Sequence, residues 1–355
     1  VLVPLGKSKK YIAIVVKVHQ EKPSFKVKPI EQVLDATPTL LDRQYRLWSW
    51  ISNYYMSPLG DVYNAAMPAG MKSAEKFKPR MELYVELTSK YRNEASLHVA
   101  LNMLQRALKQ SKALATFLSL SHWDSLENDT PREGIKKVTK EELMNEAHCT
   151  SAIVKSLIDR DILFTYEEEV GRLNTSGESH FEQIKPLSIA QQEAYNQILL
   201  QMMKKNVVLL HGVTSSGKTE VYIHLIKQAL DNHKQVLYLL PEIALTVQIM
   251  ERLHKVFGDR LGIYHSKYSD AERVEIWQKQ MSAHPYDVIL GARSAVFLPF
   301  QNLGLVIIDE EHETSFKQQD PAPRYHARSA AIVLAGMYPD CKVLLGTATP
   351  SMESY

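Results

Sequence analysis

Residues 207–222 read VVLLHGVTSSGKTEVY, an apolar run followed by a short turn and a lysine–threonine pair. The turn matches the pattern G-x-x-x-x-G-K-[ST], which binds phosphate when it follows a strand and opens a helix. In such a loop, backbone N–H groups and the helix N-terminus surround the phosphate oxygens. The context on both sides of the turn therefore favours a nucleotide-binding loop over a chance match in a glycine-rich turn.

The residue types in this loop predict separate tasks. Lys218 is expected to supply positive charge to the β and γ phosphates of ATP, and the Thr219 hydroxyl is expected to bind Mg²⁺. The predicted ATP-binding residues of the loop are Gly212, Val213, Thr214, Ser215, Ser216, Gly217, Lys218, Thr219 and Glu220.

A second motif, LGLVIIDEEHE at residues 303–313, leads from an apolar strand into three consecutive acids. Asp309 is expected to hold Mg²⁺ directly or through water, and Glu310 to polarise the attacking water. Adjacent acids at a strand end also suit a helix N-cap. Because a phosphate loop precedes them, the catalytic interpretation is favoured. Lys218, Asp309 and Glu310 thus form the predicted catalytic set of a P-loop NTPase.

The rest of the sequence predicts three domains. From residue 181 onward, near-continuous apolar runs alternate with helical segments, which is typical of a parallel sheet covered by helices on both faces. Residues 181–355 are therefore predicted to form an α/β P-loop (RecA-like) lobe. Strand-like runs separated by turns in residues 1–75 predict a small β-rich domain.

Residues 76–180 predict a winged-helix domain followed by a polar linker. Thr139 and Glu142 have the spacing of a capping box, a second helix is expected from near Ser151, and ILFTYEEEV then has a strand pattern. Winged helices often bind DNA and often act only as spacers. The acidic run at 167–169 would repel phosphate, so this wing is not expected to probe DNA.

Charge and cysteine content limit the classes of function. Residues 1–30 contain seven lysines and one acid, which suits either a strand edge protected by lysines or a surface that binds a polyanion. Both alternatives remain open on charge alone. The two cysteines are far apart, so neither a disulfide framework nor a cysteine zinc site is expected, and a reducing cytoplasmic setting fits. No apolar run approaches the ~20 residues that span a membrane.

Further motifs indicate the type of motor. DEEH is a variant of the DExH box of superfamily 2 helicases, and Gln191 lies where such enzymes have an adenine-reading Q motif. LLPEIALT (239–246) and GARSAVFLPF (291–300) resemble motifs Ia and Ib, which contact single strands, so Arg293 and Ser294 are predicted to bind DNA. The predicted coupling motif, GTATPS (346–351), contributes Gly346, Thr347, Ala348 and Thr349.

The order of these motifs and the residues in them resemble those of the PriA family of bacterial replication-restart helicases. The resemblance covers nearly all 355 residues and also includes the segments VLVPLG, ISNYYMSPLGDVYNAAMP, YHSKYSDAER and PRYHARSAA. One departure is Ser215, where the family usually has glycine.

The resemblance implies a fork-binding DNA helicase that uses ATP and Mg²⁺ to unwind DNA 3′→5′ and initiates primosome assembly. The implied partners are forks, single strands and the leading-strand 3′ end, with single-stranded-DNA-binding protein and other primosome proteins. It implies a bacterial cytoplasmic, nucleoid-associated location and no membrane. By position in the matching motifs, Gly6 and Lys28 would line a pocket for the 3′ end.

The segment SFKQQDPAPRYHARSAA (315–331) directly follows the DEEH box. Aromatic and cationic residues together suit base stacking and phosphate contact, and the resemblance implies a loop that couples DNA binding to ATP hydrolysis. The alternative is a surface loop that ends in a helix near Ala327. The predicted DNA-binding residues here are Phe316, Lys317, Arg324, Tyr325, His326 and Arg328.

The sequence stops just after GTATPS, so an N-terminal fragment is expected. It starts with Val1 in what reads as the middle of a β domain, so a trimmed front is also expected. The second helicase lobe with its arginine finger, and a zinc-binding part, would lie beyond it, and the fragment would be poorly active. Two other hypotheses are a different DExH translocase, such as a restriction-type motor, and a fork-binding scaffold with a vestigial ATPase. Intact Lys218, Asp309 and Glu310 argue against the scaffold.

Overall fold

The computed structural model describes residues 1–6, 9–72, 81–92, 94–123, 136–169, 183–213, 216–265 and 268–355. They belong to two compact units. One combines Val1–Phe77 with Ser176–Tyr355, and the other is Lys78–Thr175. The three-domain boundaries near residues 75 and 180 stay a prediction.

The N-terminal segment of the first unit has less strand than its sequence pattern predicts. An antiparallel pair is formed by β1 (Leu2–Leu5) and β2 (Lys9–Ile12). Beyond it, Ala13 exchanges backbone hydrogen bonds of 2.9 and 3.0 Å with Val1, and an isolated bridge joins Gln32 to Leu2. A strand pattern becomes a strand only where a neighbour satisfies the backbone groups, and no ladder partner for residues 14–30 is present among the described residues.

Two helices follow, α1 (Asp42–Tyr54) and α2 (Leu59–Ala66). The central residues Leu47, Trp48 and Ile51 form one buried apolar face of α1, as their helical spacing favours.

Side chains fix α1 to the C-terminal part of the same unit. The buried Gln44 amide donates a hydrogen bond to the carbonyl of Phe297 over 2.7 Å. Just before the helix, the carbonyl of Thr39 accepts a hydrogen bond of 3.0 Å from the Trp277 indole. A buried amide without a partner costs roughly 1–3 kcal/mol, so these bonds hold the helix in one place.

The second unit has the winged-helix arrangement of short helices with an antiparallel sheet. Its strands, in the spatial order β4-β3-β5, are β3 (Met81–Leu87), β4 (Val138–Thr139) and β5 (Leu163–Glu169). Its helices are α3 (Glu94–Met103), α4 (Leu108–Leu120), α5 (Lys140–Glu146) and α6 (Ser151–Asp159). One half of the predicted capping box of α5 is present, since the Thr139 hydroxyl accepts the Glu142 N–H over 3.0 Å. The Glu142 carboxylate instead forms an ion pair with Lys136 at 3.1 Å.

A six-stranded parallel sheet forms the centre of the first unit, as the apolar runs predict. Its strands are β6 (Val207–His211), β7 (Gln235–Leu239), β8 (Leu261–Tyr264), β9 (Val288–Gly291), β10 (Leu303–Asp309) and β11 (Lys342–Thr347). The spatial order is β6-β11-β10-β7-β9-β8. Every residue of β7 and β9 is buried, which explains why their sequences show no polar alternation.

Five helices accompany this sheet: α7 (Ile189–Lys204), α8 (Lys218–Asp231), α9 (Val247–Phe257), α10 (Asp270–Met281) and α11 (Ala327–Ala335). Three of them begin at a hydroxyl residue whose side chain accepts an N–H of the first turn, namely Ser188, Thr246 and Ser269. Such caps satisfy backbone donors that have no partner inside the helix. Among the described residues, no helix is both long and apolar enough to cross a membrane.

Candidate functional site

Three segments with predicted functions meet at one edge of the parallel sheet. Strands β6, β11 and β10 are neighbours, and their register pairs His211 with Thr347 and Gly346 with Asp309. The phosphate loop, the GTATPS motif and the DEEH box therefore leave the sheet side by side. The carboxyl edge of a parallel sheet is where open α/β folds bind ligands.

The phosphate loop turns tightly into α8. Gly217, at the start of the helix, has a φ of +80°, a conformation that glycine adopts without a steric cost. A Cβ atom at Gly217 would lie 2.2 Å from the Gln191 amide nitrogen, which donates to the Gly217 carbonyl over 3.3 Å. Gln191 thus lies against the loop, next to the phosphate-binding segment.

The ammonium of Lys218 folds back over this loop. It donates to the carbonyls of Gly212 and Val213 over 2.9 and 3.3 Å. Thr219 lies in the first turn of α8 and is half-buried, and Ser216 is exposed. Thr214 and Ser215 lie outside the described residues. The remaining predicted loop residue, Glu220, forms a two-pronged ion pair with Arg252 of α9, at 3.0 Å for Nη2 to Oε2 and 3.3 Å for Nε to Oε1.

Two buried tyrosines hold the Asp309 carboxylate. The Tyr222 hydroxyl donates to Oδ1 over 3.0 Å and the Tyr238 hydroxyl donates to Oδ2 over 3.4 Å. The backbone N–H of Glu310 also donates to Oδ1, over 3.1 Å. Burial raises the pKa of Asp309, and the Tyr222 hydrogen bond opposes that rise. The pKa values of both tyrosines lie well above their ordinary value, because of burial first and the nearby Asp309 second.

Gly346 on the neighbouring strand leaves the room for this arrangement. A Cβ atom there would lie 1.9 Å from the Tyr222 hydroxyl oxygen and 3.0 Å from Asp309 Oδ1. The glycine predicted as part of a coupling motif therefore has an immediate packing task. Sequence reasoning missed both tyrosines, although Tyr222 lies one helical turn after Lys218 and shares its helix.

The donor atoms suit a magnesium ion. Asp309 offers a carboxylate and Thr219 a hydroxyl, and Mg²⁺ in nucleotide sites takes one or two protein oxygens together with phosphate and water. The described residues contain no group of three or more His, Cys, Asp or Glu that could hold a metal by themselves. A small set of hard oxygen donors beside a phosphate loop is the arrangement such a site requires.

The DEEH box and the GTATPS motif are joined by a polar link. His312 Nδ1 lies 2.7 Å from the Thr347 hydroxyl and 3.7 Å from Glu310 Oε2. The same hydroxyl accepts the N–H of Thr349 over 3.1 Å. Ala348 contributes its carbonyl, 3.1 Å from the His211 ring. The predicted coupling residues thus lie in contact with the predicted water-activating carboxylate through His312, which sequence reasoning left without a role.

The third acid of the DEEH box is fully buried and satisfied. Glu311 forms an ion pair with Arg328 and accepts hydrogen bonds from Ser351 N–H and the Ser354 hydroxyl, over 2.9 and 2.7 Å. Although burial alone would raise the pKa of Glu311, these hydrogen bonds and the arginine lower it overall. The structure therefore shows Arg328, predicted to bind DNA, in an internal ion pair.

Apart from Arg328, the predicted DNA-binding residues between positions 293 and 326 fall into two groups. The rings of Phe316 and Tyr325 are 0% and 1% exposed, so neither presents a face to a base in this arrangement. Arg293 donates to the Ser315 carbonyl over 3.3 Å, and Ser294 is half-buried in the same short turn. A DNA role for these four residues stays a prediction.

The other group lies nearer the surface. Lys317 and His326 form an isolated antiparallel backbone bridge across the loop, and both are half-buried. The Arg324 side chain is 64% exposed. Burial first, then the charges of Arg328 and Lys317, lower the pKa of His326 to about 4.

Near the start of the chain, Gly6 and Lys28 lie together at the N-terminal pair of strands. The Lys28 ammonium donates to the carbonyl of Gly6. Gly6 has a φ of +65°, and a Cβ atom there would meet nothing within 4 Å. The two residues assigned by position to one pocket are therefore neighbours, and the space beside the glycine is open.

Comparison with known families gives three matches in chain order. A family model described as "3′DNA-binding domain (3′BD)" matches residues 1–68, one described as "Winged helix domain, PriA helicase, Bacteroidota" matches 82–170, and one described as "DEAD/DEAH box helicase" matches 188–355. The predicted fold class, with its winged helix and helicase lobe, is confirmed. A 3′ DNA-binding domain also disfavours the restriction-type motor.

Similar proteins extend over the whole chain. It is 32% identical over 404 residues to "Replication restart protein PriA" of Bacillus subtilis, covering 100% of the chain and 50% of that protein. It is 35% identical over 357 residues to the protein of that name from Haemophilus influenzae, covering 100% of the chain and 46% of that protein. The Helicobacter pylori (strain J99) protein is 44% identical over 174 residues, 49% of the chain and 28% of that protein. The chain spans about half the length of the first two relatives.

Proposed function

The chain belongs to the PriA family of replication restart helicases, and from that premise we propose that it binds ATP and DNA as part of a motor acting at stalled or abandoned replication forks. The nucleotide occupies the edge where β6, β11 and β10 end. The observation that carries this proposal is the adjacency of the phosphate loop, Asp309 and Glu310 at that edge.

Each side chain at this edge has a task in nucleotide hydrolysis. Lys218, already held over the loop, neutralises phosphate charge, and Thr219 with Asp309 provides hard oxygen ligands for the Mg²⁺ of the nucleotide. That ion, when bound, offsets the negative charge that develops on the phosphates. Glu310 accepts a proton from the attacking water. Tyr222 keeps the Asp309 carboxylate in one orientation.

DNA recognition belongs to the N-terminal segment in this proposal. The match to a 3′ DNA-binding domain and the contact between Gly6 and Lys28 support a pocket for the leading-strand 3′ end. Glycine lets the terminal nucleotide approach the backbone closely, and the lysine meets a phosphate or a base edge.

The proposal also covers activities of a longer protein of which this chain is a part. Unwinding in the 3′→5′ direction, loading of other primosome proteins and contact with single-stranded-DNA-binding protein are proposed for the whole enzyme in the bacterial cytoplasm. They rest on family membership, because the chain spans about half of each of those two relatives.

A crossed experiment tests the two sites against each other. Lys218→Ala should weaken Mg²⁺–ATP binding by about 10- to 150-fold, the worth of a lost charged hydrogen bond of roughly 1.5–3 kcal/mol, and leave fork binding unchanged. Lys28→Ala should do the reverse. It should also remove the preference for forks with a free 3′-OH over forks with a 3′-phosphate.

Both measurements are equilibrium titrations, with fluorescent nucleotide in one and labelled forks in the other. If Lys218→Ala impaired fork binding without nucleotide, the separation of the two sites would be wrong. An equal loss on both kinds of fork in Lys28→Ala would mean plain phosphate attraction and would remove the 3′-end pocket from the proposal.

A further inference from the structure

An acidic residue lies in the first turn of the helix that the phosphate loop opens. Glu220 follows Lys218 and Thr219 in α8, and its backbone N–H donates to the carbonyl of Gly217 over 3.0 Å. The helix begins at that glycine, which has no side chain to accept the N–H groups of the first turn, so those donors remain for a phosphate. A carboxylate beside the same donors is attracted to them and repels a phosphate. Glu220 therefore opposes nucleotide binding unless its charge is compensated.

Arg252 of α9 provides a matching positive charge. Its Nη2 and Nε atoms meet the two carboxylate oxygens of Glu220 at 3.0 and 3.3 Å. The side chains of Arg252 and Glu220 are only 18% and 26% exposed, so this pair is better shielded from water than the exposed pairs that contribute little. A planar guanidinium that meets both oxygens also fixes the orientation of the carboxylate.

The contact between the two helices does not explain why this pair is charged. Val221 of α8 and Leu253 of α9 already belong to one buried apolar cluster. Removing two charges partly from water costs free energy that a further apolar contact would not cost. Stability alone therefore does not account for an ion pair at this place, directly beside the residues proposed to bind phosphate.

The helix that carries Arg252 is attached to the segments that resemble motifs Ia and Ib. It follows LLPEIALT (239–246) directly. Within that segment the N–H of Leu240 donates to the carbonyl of Gly291 over 2.9 Å, at the start of residues 291–300. The position of α9, and of the segments joined to it, therefore decides whether the neighbouring carboxylate is covered by its arginine.

We propose that Arg252 is a positioning residue of the nucleotide site that acts through Glu220. It neutralises and orients this carboxylate, so that the first turn of α8 can bind the phosphates of ATP. The inference rests on the proposed function and deepens it. Glu220, predicted from the sequence as an ATP-binding residue, then serves as the partner of Arg252 and not as a ligand of the nucleotide.

The test is a titration of the 355-residue chain with a fluorescent ATP analogue and Mg²⁺. Arg252→Gln should weaken binding by about 3- to 30-fold, because it leaves an uncompensated negative charge at the phosphate-binding turn. Glu220→Gln should instead tighten binding by about 2- to 5-fold, because it removes that charge and keeps the arginine. The double variant Glu220→Gln/Arg252→Gln should recover most of the affinity that Arg252→Gln loses.

A matched control comes from the second unit. Arg92 and Glu86 form an ion pair of similar burial, with side chains 24% and 34% exposed. Arg92→Gln removes the same kind of charge far from α8 in the sequence and should leave nucleotide affinity unchanged. Circular dichroism melts check that each variant is folded.

The charge of the ligand separates electrostatics from structure. In competition titrations with ATP, ADP and AMP, the loss in Arg252→Gln should be largest for ATP and smallest for AMP. It should also shrink as the salt concentration is raised, since salt screens charges that are partly exposed. Arg252→Lys keeps the charge but not the two-pronged geometry, and should lie between Arg252→Gln and the unaltered chain.

Three results would overturn the role of Arg252. Equal losses on ATP and AMP would show that it acts on the fold alone. A double variant no better than Arg252→Gln would exclude Glu220 as the group through which it acts, and weakened binding in Glu220→Gln would make that acid a ligand. Normal nucleotide binding by Lys218→Ala would instead refute the proposed nucleotide site, whereas normal binding by Arg252→Gln beside a defective Lys218→Ala would refute this inference only.

Discussion

The hydrogen bond from Tyr222 to Asp309 can be deleted without changing the shape of the site. Tyr222→Phe removes one oxygen atom from a fully buried ring that packs edge-on against Tyr238, with centroids 5.6 Å apart. Among the described residues, the Asp309 Oδ1 atom then keeps only the N–H of Glu310 as a donor, at 3.1 Å. A carboxylate that has lost one of its donors in a buried place is less well fixed for a metal ion.

The geometry sets the expected magnitude. A hydrogen bond to a charged group contributes roughly 1.5–3 kcal/mol, and the 3.0 Å separation at Tyr222 lies at the long end of the range for an O–H···O bond, so this contribution is an upper value. Mg²⁺–nucleotide affinity should therefore fall by up to about 100-fold. Tyr238→Phe is the matched comparison, and its 3.4 Å contact predicts a smaller loss.

The assay is a titration with a fluorescent ATP analogue at several Mg²⁺ concentrations, together with urea unfolding of each variant. Gly346→Ala gives an independent perturbation, because its added Cβ would press on the same hydroxyl at 1.9 Å. Normal Mg²⁺–nucleotide binding by Tyr222→Phe would refute this role of the Tyr222 hydrogen bond, as would a larger loss of affinity in Tyr238→Phe than in Tyr222→Phe.

The remaining predictions concern Glu310 and His326. Glu310→Gln should keep its Mg²⁺–nucleotide affinity while single-turnover hydrolysis slows by about 10²–10⁴-fold, because the base that accepts the proton from water is lost; near-normal hydrolysis would remove this role from Glu310. The pKa of His326 is lowered to about 4 in the folded chain, against 6.5 when the chain is unfolded. Between those two pH values the unfolded state binds more protons than the folded state. The free energy of unfolding should therefore fall as the pH drops from about 6.5 towards 4. His326→Gln should flatten that part of the urea-midpoint profile against pH, and an unchanged slope would show that another group is responsible.

The sequence predicts the parallel sheet, and the meeting of the phosphate loop with the DEEH box at its edge, for physical reasons. Strands buried on both faces must be apolar along their whole length, so β7 and β10 are visible in the letters alone. A phosphate loop needs a glycine with positive φ directly before its lysine, and Gly217 is found there. Motifs at strand ends then meet automatically, because parallel strands present their carboxyl ends at one edge.

The surroundings of the side chains near those motifs are less predictable, because residue types alone do not show which side chains are buried in the core and which are exposed. Phe316 and Tyr325 have the residue types of a stacking surface but are buried. Arg328 has the charge of a phosphate ligand and pairs with Glu311 instead. Each difference arises from contacts between residues far apart in sequence.

The DEEH box shows why one of its residues is suited to catalysis. Asp309 is held by tyrosines, Glu311 by Arg328 and His312 by Thr347. Glu310, between them, has a φ of +48°, which costs a residue with a side chain roughly 1–3 kcal/mol and persists only where the surroundings impose it. Its anchored neighbours on both sides supply that constraint. Within the described residues the ion-pair contact of the Glu310 carboxylate is the His312 ring, 3.7 Å away. The strained backbone thus directs one acid away from the internal pairings that its neighbours make, as the role proposed for Glu310, accepting a proton from water at the nucleotide, requires.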